Sequence, residues 1–322
     1  MIAAPALVSV LAEELRSAGF GMTYDSYRIR GAIAREDGER LRDTLPELAD
    51  DRWKAFNQSL PRRYASGDIV RILGFGSSLT RFSTQPLGPV NDQVVELGAL
   101  ATLIVTVYDN CLDLGPHDGE VLSKGVLDAL LRRRGRDLDP SASHSPGAWV
   151  MQSLVARYFE SLDAIAAGST RPAVRRLLES TILSMYAAER ATIEEPLLAA
   201  RLLRRKSALP FVVAGLPACL GTSADDATIR WHLGWLYRLG SFLGGIDDVV
   251  DLYADEASGQ PNGVRQKLDA GQPGERVCAS IARLGRRVLT EWRSRSPRTA
   301  ATADEALRAV VVSWTGEACI ER

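Results

Sequence analysis

Apolar positions recur every three or four residues along most of the chain, a pattern that predicts helices almost throughout. Leu7, Val10, Leu11 and Leu15 mark one face of a helix over residues 5–18. A polar helix is expected over 38–49 and another over 50–65, with Asp50 or Asp51 as its cap. Residues 91–112 are apolar on more than one stripe, through Val94, Val95, Leu97, Leu100, Leu103, Ile104 and Val107, which marks a central helix. Further helices are expected over 121–132, 148–167, 171–193 and 197–220, the last broken near Pro210. Residues 225–255 form a second long apolar run, and 278–293 and 302–314 close the series. Two stretches interrupt the pattern. Gly74, Gly76, Ser77, Ser78, Pro86, Gly88 and Pro89 read as loop chemistry around one short helical segment at 69–73, and 132–146 reads as a charged, then Ser/Pro-rich loop. No convincing alternating strand pattern and no internal repeat occurs. The expectation is an all-α fold, ten or more helices in one domain spanning residues 1–322.

Composition narrows the class. Of 322 residues, 46 % are apolar and 25 % charged, enough for a sizeable core, and the net charge of −1 gives no basic field for nucleic acid. Cys111, Cys219, Cys278 and Cys319 are scattered without C-x-x-C spacing, as expected of reduced, buried thiols in a cytoplasmic protein and not of a disulfide frame or zinc site. The apolar start lacks a basic segment and is broken by Glu13 and Glu14, so no signal peptide is expected. No run of 18 apolar residues predicts a membrane span.

Candidate chemistry lies at the ends of the two most apolar helices. Asp247, Asp248, Asp251 and Asp255 crowd the end of one, three and four residues apart on a shared face. Asp109-Asn110-Cys111-Leu112-Asp113 ends the other. A helix C-terminus is the negative end of its dipole, so carboxylates there are disfavoured unless cations sit among them. One such cluster could be a solvated helix end. Two, on the two most apolar helices, point to a cavity where hard divalent cations bridge carboxylates to substrate phosphates. The Arg run at Arg201, Arg204 and Arg205 precedes Lys206, one of only four lysines against 35 arginines. The run reads equally well as a solvated face or as a diphosphate contact.

The stretch from Leu239 to Asp251 resembles the second Asp-rich motif of trans-isoprenyl diphosphate synthases, G-x-x-F-Q-x-x-D-D-x-x-D. Gly240, Asp247, Asp248 and Asp251 match; Leu243 and Gly244 replace Phe and Gln. Asp109 to Asp113 resembles the first motif, D-D-x-x-D, with Asn110 in the second position, and Lys206-Ser207-Ala208 resembles the family's Lys-Thr-Ala segment. The resemblance spans about residues 90–270. It implies the class I isoprenoid synthase bundle with a central cavity, an allylic prenyl diphosphate substrate and Mg²⁺, three ions in all. It places Asp109, Asp113, Asp247, Asp248 and Asp251 as catalytic metal ligands and Lys206 at the diphosphate; Arg205, Asn110 and Phe242 are further candidates at the substrate. A homodimer is implied by the resemblance alone.

The departures favour a terpene synthase over a chain-elongating enzyme. Elongating enzymes carry a Gly-Gly-Lys-Arg-x-Arg-Pro segment before the first motif and paired Arg after it. Here the corresponding stretches are 74–89, with only Arg81 charged, and 114–120, with no arginine; Gly259-Gln260 replaces a later Gly-Lys. The usual microbial cyclase pattern N-x-x-x-S-x-x-x-E is also absent. Tyr108, Tyr186, Trp235, Phe242 and Trp314 are candidate cation-facing rings, with core packing the alternative for each. The rival functions are a prenyl diphosphate synthase and a non-catalytic synthase subunit.

Overall fold

The computed structural model describes residues 4–60, 62–88, 91–112, 132, 134–135, 146–167, 171–194, 200–220, 222, 224–296 and 304–321. Asp113 and the helix and loop expected over 121–146 lie outside them, apart from 132, 134, 135 and 146.

The periodic apolar runs become α1 (Ala4–Leu15), α2 (Tyr24–Asp43), α3 (Asp51–Ser59), α4 (Ser66–Thr84), α5 (Asp92–Leu112), α6 (Pro146–Ala167), α7 (Pro172–Glu194), α8 (Ala200–Gly215), α9 (Asp226–Val250), α10 (Leu252–Ser258), α11 (Gly263–Asp269), α12 (Gly274–Arg295) and α13 (Glu305–Thr315). Asp50 caps α3 through the amide of Arg52 at 2.8 Å, and Asp225 caps α9 through that of Thr228 at 2.7 Å. The fold is an all-α bundle. Its single sheet among the described residues pairs Met22 with Ile320 and Thr23 with Glu321 in parallel, tying the start of α2 to the end of the chain. One continuous apolar cluster runs from Leu7 to Cys319.

Helices α5 and α9 sit in the middle, as their all-round apolarity requires. Val95, Leu103 and Val107 of α5 and Trp235, Leu239, Phe242, Leu243 and Ile246 of α9 are fully buried. Residues 92–111 are long and apolar enough to cross a membrane, with a mean hydropathy of 1.4, but 67 % of that stretch is packed inside the bundle. All four cysteines are buried, and none is in a disulfide.

The structure overturns the loop expected over 67–89. Ser66–Thr84 is a helix of 19 residues. Its glycines and serines permit close approach of helices instead of turning the chain. A Cβ on Gly74 would lie 2.7 Å from the carbonyl carbon of Ala34 on α2, and one on Gly76 would lie 2.8 Å from Ala99 Cα on α5. Reciprocally, Gly38 of α2 faces the Val70 backbone and Gly98 of α5 faces the Thr80 side chain. Four glycines therefore let α4 lie almost backbone to backbone between α2 and α5. Pro210 also breaks nothing: α8 runs through it to Gly215, and a 3₁₀ turn follows at Leu216–Leu220.

Candidate active site

The second acidic motif is built by the way α9 ends. Its regular hydrogen bonds stop at Asp251, whose amide still bonds the Asp247 carbonyl at 2.8 Å, and α10 starts directly after it. Asn262 secures the turn beyond. Its amide nitrogen donates to the Asp248 carbonyl at 2.7 Å and to the Asp255 carboxylate at 2.8 Å, while its oxygen caps α11 through Val264 and Arg265. The first amide of α11, on Gly263, donates to the Asp248 carboxylate. Asp255 is thereby tied to the loop behind the motif.

Helix α8 brings the basic residue. Two glycines one turn apart on α9 let it approach. A Cβ on Gly240 would lie 2.7 Å from Ala208 Cα, and one on Gly244 would lie 2.5 Å from Ser207 Oγ. The Lys206-Ser207-Ala208 segment thus rests on the α9 backbone just before the aspartates. Lys206 Nζ reaches Asp109 at the end of α5, 3.4 Å away. Three helices therefore converge on one patch: α5 with Asp109, α8 with Lys206, α9 with Asp247, Asp248 and Asp251.

The patch is under electrostatic load. Burial, then repulsion from Asp251, Asp248, Asp255 and Asp109, pushes Asp247 up to about 7. Asp247 is nonetheless exposed, so the carboxylate it carries is open to solvent and to ligand. Burial and then Asp255 push Asp248 up to about 7, against the Gly263 amide and the cations Lys267 and Lys206. Asp251 and Asp255 are also raised, chiefly by burial.

The donor set fits a hard divalent cation, because it consists of carboxylates held close enough to resist ionising together. Among the described residues no three His, Cys, Asp or Glu side chains converge tightly enough to cage an ion alone.

Two predicted substrate residues are placed elsewhere. The Phe242 ring is fully buried, 5.0 Å from Phe20, and fills the space over Gly285. It is a core residue, because position 242 lies about half a turn around α9 from the aspartates. Asn110 is buried, and both ends of its amide bond the Arg62 backbone: the Arg62 amide donates to it at 3.2 Å and it donates to the Arg62 carbonyl at 2.6 Å. Arg205 is half-buried beside Lys206 on α8, and Arg204 is exposed. Of the proposed rings, Trp235 is core: its indole bonds the Val288 carbonyl at 2.9 Å and its ring lies 5.8 Å from Phe82. Trp314 stacks on Phe75 at 5.9 Å. Tyr108, next to Asp109 in sequence, pairs with Tyr186 of α7 at 4.8 Å.

Two cations escaped the sequence reading. Arg62 lies near enough to Asp251 to counter the rise in its carboxyl pKa, and Lys267 does the same for Asp248. The doubled Arg62-Arg63 was the available signal for the first; nothing in sequence brought Lys267 of α11 back to Asp248.

No family model matches the sequence, and no curated protein does. Solved structures do. A linalool/nerolidol synthase from Streptomyces clavuligerus in complex with 2-fluorogeranyl diphosphate is similar at 14 % identity and a TM-score of 0.49, over 88 % of this chain and 93 % of that one. A geranylgeranyl pyrophosphate synthetase from the archaeon Geoglobus acetivorans is similar at 14 % identity and a TM-score of 0.43, over 91 % of this chain and 99 % of that one.

Proposed function

We propose that the chain is a Mg²⁺-dependent class I terpene synthase that ionises one linear allylic prenyl diphosphate and cyclises the cation. The observation that carries this reading is the convergence of Asp109, Lys206, Asp247, Asp248 and Asp251 on one patch, in the three elements whose motifs resemble the family's. In the reaction the allylic C–O bond breaks heterolytically. Its electron pair leaves with diphosphate, and the allylic cation closes and loses a proton.

Each residue has a task in that chemistry. Asp109, Asp113, Asp247, Asp248 and Asp251 would hold Mg²⁺. Bound there, the metal neutralises the diphosphate and makes it a better leaving group. Lys206 offers a donor to the same anion and exchanges its Asp109 partner for phosphate oxygens. The apolar faces of α5 and α9 keep water from the cation, and the Tyr108–Tyr186 pair supplies aromatic faces close to where it forms.

The sequence gives little to hold a second diphosphate. The stretch 74–89, where elongating enzymes have basic residues, is mostly packed helix here. Arg62 beside Asp251 is the one observation favouring the second reading, chain elongation. The test is incubation of the protein with Mg²⁺ and prenyl diphosphates of ten to twenty-five carbons. Pyrophosphate release with hydrocarbon or alcohol products supports the proposal. A longer diphosphate formed only when isopentenyl diphosphate is added supports elongation. No release from any substrate sinks both and leaves the non-catalytic subunit.

A further inference from the structure

Asn110 stands where the resemblance expects a second metal-binding aspartate, and its surroundings fit an amide and not a carboxylate. It is 6 % exposed, and its Nδ2 lies 2.6 Å from the Arg62 carbonyl oxygen. A carboxylate there would set two acceptors against each other in a buried place. Its Oδ1 takes the Arg62 amide at 3.2 Å, so the side chain mimics a peptide group pairing with the 60–65 segment. A second clasp of the same kind follows. Asn57 takes the Tyr64 amide and donates to the Tyr64 carbonyl, each at 2.8 Å. The Tyr64 hydroxyl donates to the Thr106 carbonyl of α5 at 3.1 Å, one turn before Asn110. The Arg62 backbone is therefore fixed to the helix that carries Asp109. Its side chain is exposed, forms no salt bridge among the described residues, and springs from backbone held one residue from Asp109 at the end of α5.

We propose that Asn110 is a positioning residue: its amide clasps the Arg62 backbone and so holds the Arg62 guanidinium at the rim of the acidic cluster, where it meets the anionic end of the substrate. The asparagine is then an adaptation and not a lost ligand. This rests on the diphosphate reading above.

The test uses the full chain, with inorganic pyrophosphate and Mg²⁺ as the probe in calorimetry and amide exchange over residues 60–65 as an independent readout. Asn110→Asp and Arg62→Gln are each expected to weaken pyrophosphate by roughly tenfold, the size of one charge-assisted hydrogen bond. The double variant should be no weaker than Arg62→Gln alone, which a merely structural asparagine would not produce. Only variants at Asn110 should speed exchange at the Arg62 amide. Unchanged or tighter binding by Asn110→Asp would overturn the proposal, because it would show a vacant ligand position. Should Asn110→Asp fail to fold, Arg62→Gln still decides, since its side chain is exposed: undiminished affinity overturns the proposal. If the native chain binds no pyrophosphate at any Mg²⁺ concentration, the diphosphate reading falls, and with it Arg62's task. Fast exchange at the Arg62 amide in the native chain overturns the clasp itself.

Discussion

Gly244 is the point where α9 and α8 touch, and replacing it measures how tightly the site is held. An alanine Cβ there would run into the Ser207 Cβ, which no rotamer change can move, and sit 2.5 Å from Ser207 Oγ. Non-bonded heavy atoms settle at about 3.5 Å or more, so the helices must part by roughly 1 Å. Overpacking of this kind costs about 1–3 kcal/mol, partly offset by up to about 1 kcal/mol of helix propensity gained from glycine to alanine. Gly245→Ala is the matched control. It gains the same propensity but meets only the flexible Ile281 side chain, at 3.2 Å. At roughly 2 °C per kcal/mol for a chain of this size, Gly244→Ala should melt about 2–6 °C below Gly245→Ala in a thermal scan. Ser207→Gly in the same molecule removes the clash. The double variant should therefore be more stable than the sum of the two single changes, by about 1 kcal/mol or more. A melting temperature for Gly244→Ala equal to that of Gly245→Ala, or strict additivity with Ser207→Gly, would refute the contact between the two helices.

Other outcomes follow from the same site. Lys206→Ala should slow pyrophosphate release by about a hundredfold, as when one preorganised donor is lost, yet shift the melting temperature little, because a part-exposed ion pair is worth about 0–1 kcal/mol. The metal-free chain should lose stability as pH rises. Asp247 and Asp248 titrate near 7 when folded but near the ordinary 3.8 when unfolded, so between those values the folded chain holds the extra protons. Their contribution is full below about pH 4 and gone above about pH 7. In EDTA the melting temperature should be lower at pH 8 than at pH 6, Mg²⁺ should restore it, and Asp247→Asn should flatten the profile. Phe242→Ala should cost about 3–5 kcal/mol as a core deletion, whereas Phe242→Leu should keep the product pattern by gas chromatography; a changed pattern with unchanged stability would return Phe242 to the substrate cavity.

Most helices were legible because each shows its period to the chain itself. Residues 92–112 and 226–250 carry apolar stripes that need no knowledge of their neighbours. Helix α4 was not legible, because glycine signals a turn locally but a close crossing in three dimensions, and only the Ala34, Ala99 and Val70 backbones on and beside it tell which. The acidic motifs and Lys206 were readable as residues. The resemblance placed them at one site, but the close approach of α8 to α9 that seats Lys206 was not legible, since it depends on Gly240 and Gly244, which also read as helix-weakening. Phe242 lies about half a turn around α9 from Asp251 and packs in the core, the alternative its sequence context had left open. Arg62 was missed because the amide of Asn110, forty-eight positions away, fixes it in place.

The glycine crossings have a consequence for how such a protein can change. Where α8 rests on α9 and α4 on α2, spacing is set by main chain against main chain, so it does not depend on which side chains fill the rest of the bundle. The charged patch can keep its dimensions while apolar positions elsewhere in the bundle are exchanged. Under the proposed function, new hydrocarbon skeletons would then arise by drift at apolar positions, without renegotiating the geometry of the acidic patch.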